Sequence, residues 1–166
     1  MLIVLAILAK LVPLPFNSIV ITFAALALSL LYFFFGFAVF TSIGFRQIFK
    51  KDSYANLKPW DIIISVFTGM AFQILVIGLL FKIQYWPGAG IMSFTALMSS
   101  FLFILLAAWL LMTQNRFVYV AILKRGVPLF LFLLFLHLIP LTTRLKIFRV
   151  DPQTEELILN DANSRR

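Results

Sequence analysis

The chain has 166 residues, 63% hydrophobic and 12% charged, with a mean hydropathy of +1.05. A water-soluble domain of this length cannot hide so much apolar side chain in one core, so the composition places the protein in lipid. The net charge of +8 comes from 14 basic residues that flank apolar runs, a membrane-flank pattern that argues against nucleic acid as a partner. The absence of cysteine excludes disulfides, thiolate catalysis and thiolate metal sites.

Residues 1–11 are apolar but amount to about two-thirds of a span. No basic segment precedes them and no small-residue cleavage site follows, so they read as a short first helix and not as a secretory signal. An internal echo supports that. The frame Lys10-x-x-x-x-Pro15-x-x-x-Ile19 returns as Lys82-x-x-x-x-Pro87-x-x-x-Ile91, and Ala24 and Leu30 meet Ala96 and Leu102 in the same register. A duplicated two-helix hairpin accounts for the match.

Residues 16–45 carry no charge until Arg46 and form the second span. Arg46, Lys50, Lys51 and Lys58 then make the most basic short loop, which predicts that loop 46–60 is cytoplasmic. Pro59 suits the first turn of the next helix, and Asp61 complements that helix's positive N-terminal end. Spans over 61–81 and 90–114 follow, joined by Lys82-Ile83-Gln84-Tyr85-Trp86-Pro87-Gly88-Ala89. Pro87-Gly88 reverses the chain, Tyr85 and Trp86 suit the headgroup level, and Lys82 is expected to snorkel outward. Loop 82–90, which holds a single Lys, is therefore expected on the outer face of the membrane.

The last apolar run, 127–141, is bracketed by Pro128 and Pro140 and flanked by basic residues at both ends, Lys124 and Arg125 before it and Arg144, Lys146 and Arg149 after it. It is expected to span, with a re-entrant or interfacial path as the alternative. Residues 150–166 are polar and read as a flexible tail. The expected fold is thus all-α: a polytopic transmembrane bundle of four or five helices over 1–149, built as two similar hairpins plus a C-terminal segment.

Candidate chemistry is sparse. All six carboxylates fall in loops, at a helix start or in the tail, so no proton relay at mid-membrane is expected. Gln73 and His137 are the polar intramembrane candidates: Gln73 suits a hydrogen bond to a neighbouring helix, and His137 a satisfied or interfacial place, over transport. One histidine without cysteine makes no usual metal site, no serine has a base at an activating spacing, and no cofactor is expected. Ala25-x-x-x-Ser29 and Ala96-x-x-x-Ser100 place small residues on one helical face, where backbones can approach.

The stretch Gly78-Leu79-Leu80-Phe81-Lys82-Ile83-Gln84-Tyr85-Trp86-Pro87-Gly88-Ala89 resembles the membrane hairpin of the GldL family, the gliding-motility and type 9 secretion motor proteins of Bacteroidota. The likeness covers residues 74–103. It implies an inner-membrane helical hairpin that oligomerises with a partner reaching the periplasm. Tyr85 stands where that turn often has His, and the position of the motor's intramembrane Glu falls near Ser99 or Ser100. Location and packing are therefore carried over, and proton-driven rotation is not. The expected role is a non-enzymatic membrane subunit or scaffold packing against other helices or its own copies. Lys82, Tyr85, Trp86, Pro87 and Gly88 would form its docking tip. A small transporter or channel component is the alternative, and an enzyme acting on a lipid-like substrate stands third.

Overall fold

The computed structural model describes residues 17–55, 57–114, 117–147 and 152–164. Those residues are helical with no strand among them: α1 (Asn17–Thr41), α2 (Pro59–Gln84), α3 (Ala89–Gln114), α4 (Phe117–Leu138), α5 (Leu141–Ile147) and α6 (Pro152–Ser164). The first four are long and apolar enough to cross a membrane. The fold is the expected all-α membrane bundle. The proposed helix at 1–11, and with it half of the first hairpin, lies outside the described residues.

Consecutive spans alternate in direction, which gives the bundle two ends. At one, the loop after α1, the start of α2 and the start of α4 come together; we call it the loop end. At the other, the α2–α3 turn, the start of α1 and the end of α4 meet; this is the tip end. α2 is the central helix, half buried along its apolar window against 22–28% for the other three. Residues 71, 72, 75, 76, 79, 80 and 83 recur at helical spacing and are buried, joining an aliphatic cluster near the tip to an aromatic one near the loop. In the aromatic cluster Tyr32, Phe40 and Phe72 pack mutually, with ring centroids 5.3–6.0 Å apart.

α1 and α2 cross backbone to backbone. A Cβ on Gly36 would stand 2.6 Å from the Gly69 Cα, and one on Gly69 would stand 2.6 Å from the Tyr32 carbonyl oxygen. Such a crossing needs glycine on both sides. Of the small pairs singled out from sequence, Ala96 and Ser100 are fully buried, and Ala96 meets the notch at Gly78. Ser29 is buried and Ala25 partly so, between the two core clusters.

Two boundaries differ from the sequence reading. The last span is Phe117–Leu138, not 127–141, so it is 22 residues long and Pro128 lies inside it. Lys124 and Arg125 are exposed and lie within it, not before it. Side chains on a helix lean toward its N-terminus, and Arg125 reaches the Val39 carbonyl near the end of α1, its guanidinium 6.0 Å from the Phe40 ring centre. Long basic residues two turns inside a span thus still serve its loop end. The second difference is the tail. Pro152 at the first helical turn and Glu155 against the N-terminal dipole start a 13-residue helix, α6, where a flexible segment was expected.

Candidate functional site

Each end of the bundle holds a polar cluster, and the two are built differently. At the loop end, Lys58 precedes α2 in extended backbone and Pro59 opens the helix with the right φ. The Lys58 amide donates to Asp61 Oδ2 at 3.0 Å, which is the expected N-terminal role of that carboxylate. Sequence reasoning missed the other oxygen: Tyr119 Oη, from the first turn of α4, donates to Asp61 Oδ1 at 2.8 Å. Both side chains are fully buried. Ser65, one turn on, returns its proton to the Asp61 carbonyl at 2.6 Å. Asp61 lies about 5 Å along its helix, at three residues and 1.5 Å each, so it is covered by protein while remaining near the membrane boundary.

At the tip end, α2 closes on Tyr85 in the left-handed region (φ 57°), with the Trp86 amide bonded to the Phe81 carbonyl at 3.1 Å. Gly88 takes φ 80°, as its place in the turn requires, and α3 begins at once. Gln84 ties α1 to this end: Ser18 Oγ donates to Gln84 Oε1 at 2.8 Å, and Gln84 Nε2 donates to the Ser18 carbonyl at 2.8 Å and to Thr22 Oγ1 at 3.1 Å.

The tip residues do not share one surface. Trp86, Pro87 and Gly88 are exposed, Trp86 resting edge-on against Phe81 with centroids 5.2 Å apart. Tyr85 turns inward instead and lies under the Arg144 guanidinium, 5.8 Å from its ring centre. Burial pushes the Tyr85 phenol up to about 12, with the Arg144 charge opposing and the Glu155 charge adding. Lys82 was expected to snorkel outward; it is 7% exposed and stays in the bundle. α5 returns to the tip here: Arg144 reaches the Lys82 backbone carbonyl, and Arg144 and Leu145 are themselves buried.

Arg144, which the sequence reading treated as a flank, is 8% exposed. One of its terminal nitrogens reaches the Lys82 carbonyl at 3.5 Å, while its Nε is buried without a hydrogen-bond partner among the described residues. Burial lowers its proton affinity below the usual guanidinium value. His137, at the end of α4, joins the same group. Its Nδ1 is 2.8 Å from Ser93 Oγ, whose proton is directed to the Gly90 carbonyl at 2.9 Å, and the charges of Lys82 and Arg144 both act on the ring. Gln73, the other polar candidate, is half-buried nine residues before Lys82, roughly 14 Å down the helix, and does not meet this cluster.

Three basic side chains from α2, α4 and α5 thus converge at the tip. Among the described residues no carboxylate lies within salt-bridge distance of Lys82 or Arg144, and no group of metal-ligand residues forms. The juxtaposition could not be read from sequence, because Lys82, His137 and Arg144 are scattered over three elements; the available hint was the number of basic residues on both flanks of the last span. No protein-family profile, no curated protein and no solved structure matches the chain.

Proposed function

We propose that the chain is a non-enzymatic subunit or scaffold of a bacterial inner-membrane complex, presenting its outer helix faces and its turn to partner helices or to further copies of itself. The observation that carries this reading is the way the spans use their polar groups. Thr22, Thr41, Ser65, Ser99 and Ser100 each donate to a carbonyl three or four residues back in the same helix. Hydroxyls satisfied within their own helix offer little to a passing solute. The space between them is filled by the two apolar clusters, which supports packing over transport.

Recognition is then left to the exterior. Phe23, Phe34, Phe94, Trp109 and Phe135 are exposed on the spans, and Trp86 is 39% exposed at the turn. An aromatic side chain held by a neighbouring ring is the kind of anchor that dominates helix and loop interfaces. The likeness of 78–89 to the GldL hairpin supports the same role. By the positive-inside rule, the basic loop 46–60 is cytoplasmic and the turn 82–90 periplasmic.

The test is the size of the assembly in mild detergent. Wild-type protein should migrate well above its 19.0 kDa monomer, and Trp86→Ala should lose about half or more of that assembly at equal expression. Unchanged assembly in W86A would remove the turn from the interface. Solute or ion flux through liposomes holding the purified wild type alone would replace the scaffold reading with the channel alternative.

A further inference from the structure

We propose that Lys82, His137 and Arg144 form a binding site for a phosphate group, placed to receive the headgroup of an anionic phospholipid at the tip end. Two nearly buried cations on neighbouring elements cost several kcal/mol of desolvation each unless an anion accompanies them. Among the described residues none pairs with either: the Glu155 charge acts on Tyr85, while Lys82 feels that of Arg144, and Arg144 is met by the Tyr85 ring and by a backbone carbonyl. The covered Nε of Arg144 adds a second, independent sign, because a buried charged donor without an acceptor is rare and is accounted for by an anion beside it.

The chemistry of the donors points to phosphate. The Nε edge of a guanidinium is a planar fork that matches two oxygens of one anion, and an ammonium beside it supplies a further charge. His137 Nδ1–H donates to Ser93, whose own proton goes to Gly90, so the fixed ring offers an Nε2–H to a third oxygen as the imidazolium that a bound phosphate favours. Tyr85, stacked under Arg144, holds the guanidinium plane in place. The level is also right. Lys82 lies two residues from the end of α2 and His137 one residue from the end of α4, where phospholipid headgroups meet a transmembrane helix. A soluble phosphate would use the same donors, and the experiment separates the two sources.

The inference rests on the four-span reading and is independent of any protein partner. Full-length protein, stripped of lipid in neutral detergent, would be titrated with phosphatidylglycerol, phosphatidylcholine, inorganic phosphate and succinate, with melting temperature and native mass spectrometry as readouts. Expected is retention of one phosphatidylglycerol per chain with a rise in melting temperature, and weaker retention of phosphatidylcholine. Arg144→Gln should weaken phosphatidylglycerol binding about tenfold or more, and Lys82→Met should weaken it as well. Arg46→Gln, an exposed charge loss at the opposite end, should leave it unchanged.

A response to inorganic phosphate matching that to phosphatidylglycerol would keep the site and make its ligand soluble. Equal loss in R144Q and R46Q would reduce the effect to general charge attraction and overturn the proposal. So would stronger stabilisation by succinate than by phosphate, or no stabilisation by any of them. If R144Q does not fold, K82M against R46Q decides the same question.

Discussion

The loop end and the tip end of the bundle bury charge by opposite means. Asp61 is covered together with its donors: a backbone amide on one oxygen and the Tyr119 hydroxyl on the other. Arg144 and Lys82 are covered without a counterion among the described residues, and a donor of Arg144 is left over. A satisfied buried charge fastens elements to one another, here the start of α2 to the start of α4. An unsatisfied one is a cost that the fold alone does not repay, so it points outward to a ligand.

Substitutions at the two ends should therefore differ in sign as well as in size. Asp61→Ala removes a helix cap and leaves the buried Tyr119 hydroxyl without that acceptor, so it should destabilise by about 2–4 kcal/mol in mixed-micelle unfolding. Tyr119→Phe keeps the ring and the cap and should cost about 1–2 kcal/mol in the same assay. Arg144→Met, measured in lipid-free neutral detergent, should be neutral or stabilising by about 1 kcal/mol, because it replaces an uncompensated buried charge with an apolar side chain. A loss of 3 kcal/mol or more there, on the order expected for breaking a complete buried pair, would show that the tip is internally paired like the loop end and would erase the contrast.

The smallest effect concerns pH. The Tyr85 phenol ionises at about 12 in the folded chain against about 10 when unfolded, so the native state holds its proton longer. Its contribution to stability is complete below pH 10 and is lost as the pH rises from 10 toward 12. Tyr85→Phe keeps the ring beneath Arg144 and should flatten that alkaline decline. An unchanged decline would assign it to other groups.

Much of the scaffold was legible because lipid imposes simple demands. Long uncharged runs, the Pro87-Gly88 reversal and the Pro59–Asp61 helix start each carry a local physical signal, and the spans 59–84 and 89–114 contain the runs expected of them. The last span was misread where locality fails. Lys124 and Arg125 look like an end in a hydropathy reading, yet their reach lets the helix begin seven residues before Lys124. Lys82 was misplaced for the converse reason: a lone lysine beside a turn snorkels by default, and nothing near it in sequence announces its burial or the return of Arg144 to its backbone. The Asp61–Tyr119 bond and the Gly36–Gly69 crossing join residues that only the tertiary fold makes neighbours.

The Gly36–Gly69 crossing bears on biosynthesis. It is a meeting of main chains, needing neither side-chain fit nor anything downstream of Gln84, whose amide completes the same pairing at Ser18 and Thr22. A nascent chain delivered to the bilayer from its N-terminus can therefore zip α1 to α2 while α3 and α4 are still being translated. The later helices then insert against a ready-made wall, and a side chain added at either glycine would be felt first as a defect in membrane insertion and turnover.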